Sequence, residues 1–218
     1  MSASETSGSG LPGRFPIFPL TGALLLPGGN LPLNIFEPRY LEMTRHAMQT
    51  EQVIGMIQST GVDDARGRPA IYDVGCAGKI TSFEETADGR YLITLTGLSR
   101  FRVVQELDVT TPYRQIIASY AGFAEDIDPK EPEDHLRMPL ISAVRRYFEA
   151  KDIRADWDAI NQAPLPGLVT SLSMICPFEP SEKQALLEAE DAGRRARTLI
   201  ALLEMGAAEG AASDISTH

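Results

Sequence analysis

Cysteine is scarce: Cys76 and Cys176 are the only two in 218 residues. They lie far apart and neither belongs to a CxxC pair, which argues against a zinc ribbon or a redox dithiol and predicts two buried, small apolar side chains in a reducing compartment. Histidine is nearly as rare. His46 and His135 stand alone and His218 is the last residue, so no two histidines share a metal-ligand spacing. No apolar run approaches the ~20 residues of a membrane span. The first ten residues, MSASETSGSG, have neither the basic nor the apolar part of a secretion signal, so cytoplasmic location is the expectation.

Catalytic groups are also missing. Gly75-Cys76-Ala77-Gly78-Lys79-Ile80 lacks the GxxxxGKS or GxxxxGKT spacing of a phosphate loop and its hydroxyl for magnesium. The acidic pairs Asp63-Asp64, Glu84-Glu85 and Asp156/Asp158 lie in polar surroundings that supply no desolvation to raise a carboxyl pKa. The expectation is a non-enzyme with no catalytic residue, no metal and no cofactor.

The net charge of −10 is unevenly placed. Residues 14–121 carry eleven acids and ten bases, residues 122–206 sixteen acids and ten bases, and the tails three acids. Neither stretch concentrates Lys and Arg on one face, which argues against general nucleic-acid binding and against anionic membrane surfaces.

What is present is a run of short strands, then helices. Phe15 to Leu20, bounded by Pro16 and Pro19, predicts an edge strand, because proline cannot donate to a ladder. Pro27-Gly28-Gly29-Asn30 turns the chain into a strand over Leu31 to Phe36. Glu37-Pro38 opens a helix with Tyr40, Met43, Ala47 and Met48 on one face. Val53 to Gln58 is a strand, Ser59 to Pro69 an exposed loop, and Asp88-Gly89 a hairpin turn between Ile71–Phe83 and Tyr91–Thr96. Gly97 and Ser99 interrupt the passage to Arg100–Val104, and Tyr113 to Tyr120 is a last strand. After an acidic, proline-containing stretch the apolar period becomes helical. One helix carries Leu136, Leu140, Val144 and Tyr147 or Phe148, with Pro139 starting or breaking it, and a second spans Leu165 to Ile175. A third is capped by Ser181 with Gln184, packs through Ala185, Ala189, Ala192, Ala196, Leu199 and Leu203, and stops at Gly206. The expected division is a flexible tail (1–13), a β subdomain with one early helix (14–121), a linker (122–133), a helical subdomain (134–206) and a second flexible tail (207–218).

Several segments have a recognisable order: FPLTG and PLNIFEPRY near the start, GLSRFRV at Gly97 to Val103, Pro112-Tyr113, Trp157, the Pro164–Leu172 helix and EKQALLEAED followed by Arg194-Arg195. Together they resemble the amino-terminal, substrate-binding domain of the Lon protease family over roughly Phe15 to Leu203, in its stand-alone bacterial form. The resemblance implies an α+β fold, a PUA-like six-stranded β-barrel followed by a small helical bundle. It also implies a non-catalytic module that binds unfolded or tagged polypeptides or a partner protein and can self-associate. The ATPase and Ser/Lys protease modules of the larger proteins have no counterpart in these residues. The alternative is a PUA-like binder of small molecules or RNA. Candidate binding residues are Phe36, Arg39, Tyr40 and Phe101. Glu37 and Arg100 interrupt otherwise apolar segments and are expected to form a partly buried ion pair.

Overall fold

The computed structural model describes residues 10–65, 67–127, 132 and 134–215. They fall into two compact units, residues 1–128 and 129–218. The linker expected over 122–133 lies partly outside the described residues.

The first unit contains β1 (Arg14–Pro19), β2 (Asn30–Ile35), α1 (Pro38–Met48), β3 (Val53–Ile57), β4 (Ser59–Asp63), β5 (Pro69–Ile71), β6 (Val74–Glu85), β7 (Tyr91–Glu106) and β8 (Gln115–Ser119). Six of these strands form one sheet in the order β2-β7-β6-β3-β1-β8, and β8 pairs again with β7. The pairings therefore run from β7 through β6, β3, β1 and β8 back to β7, with β2 attached outside on β7. Phe15, Ile17, Val53, Ile57, Ala77, Phe101, Ile116, Ala118 and Tyr120 form a core cluster within it.

Three sequence expectations are corrected here. β1 is an interior strand: residues 14–16 pair antiparallel with β8 and residues 17–19 pair parallel with β3. Its prolines fit because of that stagger. The Ile17 amide bonds Arg114 and the Leu20 amide bonds Ile57, so odd positions face β8 and even positions face β3. Pro16 thus faces β3 just before pairing with it begins, and Pro19 faces the β8 side just after pairing with β8 has ended. Secondly, residues 59–69 include an exposed hairpin strand, β4, paired with β5. Thirdly, β7 continues through Gly97 and Ser99 for 16 residues. Gly97 is there for proximity: a Cβ would stand 2.0 Å from the Leu26 carbonyl oxygen, because the buried Leu24–Leu26 segment crosses the strand.

The second unit contains α2 (Arg137–Ala150), α3 (Trp157–Gln162), α4 (Leu165–Ile175), α5 (Pro180–Glu188) and α6 (Ala192–Ile215). The expected stripe of Leu136, Leu140, Val144, Tyr147 and Phe148 is buried, and Pro139 sits in the first turn of α2, where its missing N–H is harmless. α3, which the sequence reading did not include, is capped by Asp156, whose carboxylate accepts from the Ala159 amide at 3.0 Å. The single third helix is in fact two. Glu179, not Ser181, caps α5 in a capping box with Glu182. Ala189 is extended, and Asp191 starts α6 by accepting from the Arg194 and Arg195 amides. Gly206 does not end α6, which runs on to Ile215. A Cβ there would lie 2.5 Å from the Tyr147 ring, so the residue serves close α2–α6 packing. Most of the tail expected at 207–218 is therefore helical, and residues 216–218 lie outside the described residues.

Candidate functional site

A cleft of about 550 Å³ opens on the first unit, and Arg39 and Tyr40 both line it. Glu37 is the N-cap of α1 and Pro38 its first residue, which fixes where Arg39 and Tyr40 leave the helix. Tyr40 is buried against Phe18, with ring centroids 4.2 Å apart. Arg39 lies over the Tyr40 ring at 4.5 Å, a cation–π contact, and remains half exposed. The wall opposite in sequence is the β7–β8 connection, Leu107 to Arg114, together with Pro69 from β5 and Pro19 from β1.

A carboxylate organises that wall. Glu106 accepts from Arg114 through both oxygens, at 3.0 and 2.7 Å, and pairs with Arg68 at 2.7 Å. Arg68 is also held by Asp64 at 3.0 Å, and Arg114 donates to the Pro69 carbonyl at 2.7 Å. Arg68 and Arg114 are thus occupied by buttressing contacts, whereas among the described residues the carboxylate paired with Arg39 is the exposed Glu37, 2.8 Å away. Exposed pairs of this kind hold weakly, ~0–1 kcal/mol. Arg39 is the cleft cation most easily redirected to a ligand.

The protonation states define the chemistry. Burial alone would raise Glu106, but hydrogen bonds and charge from Arg114 and Arg68 outweigh it and hold the carboxyl below its ordinary value of 4.5. Burial raises the Tyr40 phenol, partly offset by Arg39, and raises Tyr113. At neutral pH these shifts leave Glu106 a carboxylate and Tyr40 and Tyr113 neutral phenols. The depressed Glu106 pKa contributes stability above pH ~4.5 that is lost as pH falls through the folded value. Glu106→Gln is expected to flatten the acid limb of a stability–pH curve below that point, measured by urea unfolding at stepped pH. An acid limb identical to wild type would contradict this account of the cluster.

The other sequence candidates lie elsewhere. Phe36 is 63% exposed just beyond β2. Phe101 is fully buried, so it is a core residue and not a contact for a ligand. Its ring meets Phe15 edge to face with centroids 5.1 Å apart. The Glu37–Arg100 pair is not formed: Glu37 faces solvent beside Arg39, and Arg100, on an inward position of β7, pairs with Asp126 at 2.9 Å with both side chains buried. Asp126 arrives on a 3-10 turn, Ala124–Asp126, in the acidic stretch read from sequence as linker. Sequence reasoning also missed Arg68, Glu106 and Arg114; the one signal near them was Pro112-Tyr113. Among the described residues no group of three or more His, Cys, Asp or Glu could hold a metal ion, and no helix is long and apolar enough to cross a membrane. Both cysteines are buried and neither forms a disulfide.

The sequence model of the family described as "ATP-dependent protease La (LON) substrate-binding domain" matches residues 14–205. The chain belongs to the Lon substrate-binding domain family. Similar proteins include Lon protease 2 of Myxococcus xanthus, 28% identical over 201 residues, covering 88% of this chain and 24% of that protein. The Lon protease of Anaeromyxobacter dehalogenans is 27% identical over 199 residues, covering 88% and 23%. The chain thus spans about a quarter of the length of these relatives, and the match is to the Lon substrate-binding domain, not to the ATPase or proteolytic domains. Among solved structures, a Lon N-terminal domain protein from Xanthomonas campestris superposes with a TM-score of 0.61 at 24% identity, covering 86% of this chain and 97% of that one. The N-terminal domain of Mycobacterium avium complex Lon protease gives 0.62 at 17% identity, covering 87% and 97%. These likenesses show the Lon N-terminal fold, mixed α+β with a sheet and helices.

Proposed function

We propose that this protein is a non-catalytic module that binds extended or unfolded polypeptide segments, with the Arg39–Tyr40 cleft as a principal contact. The observation that carries the reading is the lining of that cleft. Pro19, Tyr40, Pro69, Leu107, Val109, Pro112 and Tyr113 offer apolar and aromatic surface for a side chain, and Arg39 stands at hand for a carboxylate or main-chain carbonyl. Polar groups, among them Thr21, Ser59, Asp108 and Thr111, alternate with that apolar surface, so the mixed lining can meet both the side chains and the main chain of a polypeptide. Membership of the Lon substrate-binding family supports the same reading. The proposal includes closure of the β7-β6-β3-β1-β8 pairings as a PUA-like barrel, a helical subdomain beyond the acidic stretch, and a cytoplasmic setting.

Calorimetry with unfolded casein and with a library of unstructured peptides, in the absence of nucleotide, tests it. Binding is expected, and Arg39→Ala is expected to weaken it about tenfold, the loss of one charged hydrogen bond. Absence of binding across the library would overturn the reading. Retention of structured RNA on filters at low salt, with no polypeptide binding, would replace it with the nucleic-acid alternative.

A further inference from the structure

β2 is the outermost strand of its sheet, paired with β7 alone among the described residues. The Gly97 amide donates to the Gly29 carbonyl, and this fixes the alternation along the strand. Residues 31, 33 and 35 exchange bonds with Leu95, Ile93 and Tyr91, whereas the backbone groups of Asn30, Pro32 and Asn34 turn outward. All three residues are exposed. Pro32 is tolerated because its missing N–H falls on the open side. The edge offers three carbonyls, from 30, 32 and 34, and two amides, from Asn30 and Asn34. Beside it the sheet face holds a hollow of about 340 Å³, lined by Pro32, Asn34, Ser82, Glu84, Leu92 and Thr94. Leu92, 41% exposed, contributes apolar surface there.

We propose that this edge binds an extended polypeptide by strand addition, its main chain on β2 and a side chain in the hollow. The inference rests on the polypeptide-binding reading and adds a contact separate from the Arg39 cleft. Pro32 selects the occupant. Two copies of this chain meeting edge to edge bring two prolines and lose two donors at the centre, whereas an unrelated segment meets only one such gap. Main-chain pairing also tolerates varied side chains, as a receptor for unfolded segments requires. The missing donor at Pro32 keeps the pairing weak enough to release.

Amide hydrogen exchange resolved by NMR, with and without saturating casein, tests the site. Exchange at Asn30 and Asn34 is expected to slow on binding, while Leu31 and Leu33, already bonded to β7, change little. Pro32→Thr restores the donor and is expected to tighten casein binding about 2- to 10-fold, and a casein-derived peptide N-methylated at alternate residues is expected to lose that gain. Casein that binds with no slowing at Asn30 and Asn34 would overturn the edge site and leave the Arg39 cleft standing. A Pro32→Thr protein that dimerises by light scattering without tightening casein would assign the edge to a second copy and overturn the proposal. No casein binding by calorimetry would overturn both readings together.

Discussion

Asp126→Ala is expected to destabilise the protein by about 3–5 kcal/mol in chemical denaturation, because it removes a buried carboxylate that holds both the Arg100 guanidinium and its backbone amide. Arg100 is only 2% exposed and Asp126 6%. The carboxylate accepts from the Arg100 backbone amide at 2.7 Å and from its guanidinium Nε and Nη2 at about 3 Å. The guanidinium also rests 4.8 Å above the Phe123 ring, from the same turn as Asp126. One substitution therefore releases the turn from β7 as well as removing the Asp126 pairing of a buried charge. The double variant Arg100→Met with Asp126→Leu is expected to recover most of the loss, since apolar replacement of a buried pair is often neutral or stabilising. A loss below about 1 kcal/mol for the single change would show that the pair behaves as an exposed one.

Phe101→Ala is expected to cost a similar amount, about 3–5 kcal/mol, for an unrelated reason. The ring fills the centre of the first unit's core, and its edge lies so close to the backbone of Gly75 that a Cβ there would come within 2.5 Å of the ring. Removing it opens a cavity between strands paired on both sides, where relaxation is limited. Casein affinity of the fraction still folded at low temperature is expected to match wild type. Weakened binding with stability intact would restore Phe101 as a contact residue. Thermal unfolding and calorimetry on the same preparation separate the two outcomes.

The elements with strong local signals were legible in the sequence. α1 begins at Pro38, the Asp88-Gly89 turn joins β6 to β7, and α4 spans Leu165–Ile175 as its apolar period indicated. Several of the failures share a cause: the deciding partner lies far away in the chain. Pro16 and Pro19 read as edge residues until β3 and β8 are seen to divide the strand between them. Gly97 read as a break until Leu26 is seen across it, and Gly206 as a stop until Tyr147 is seen beneath it. In the site, Arg39 and Tyr40 were visible because they stand next to a helix start. Their opposing wall was not, since Glu106 joins Arg68 and Arg114 only through the β7–β8 connection and β5. The Glu37–Arg100 expectation correctly marked Arg100 as a charge needing a partner. It failed because Asp126 looked like linker acidity, and composition cannot show which acid of a cluster turns inward.

The divided pairing of β1 has a consequence for how the chain is made. Its first half is completed by β8, about a hundred residues later, as in the Arg14–Ile117 register. Closing a loop of that length is entropically costly and slow compared with hairpin formation. During synthesis β3 can dock on the second half of β1 well before the chain reaches residue 115, so the strand waits half-paired on the ribosome. Pro19 then has another use: its missing N–H falls on the side that faces β8, next to the waiting half, and makes that edge a poorer template for a neighbouring nascent chain.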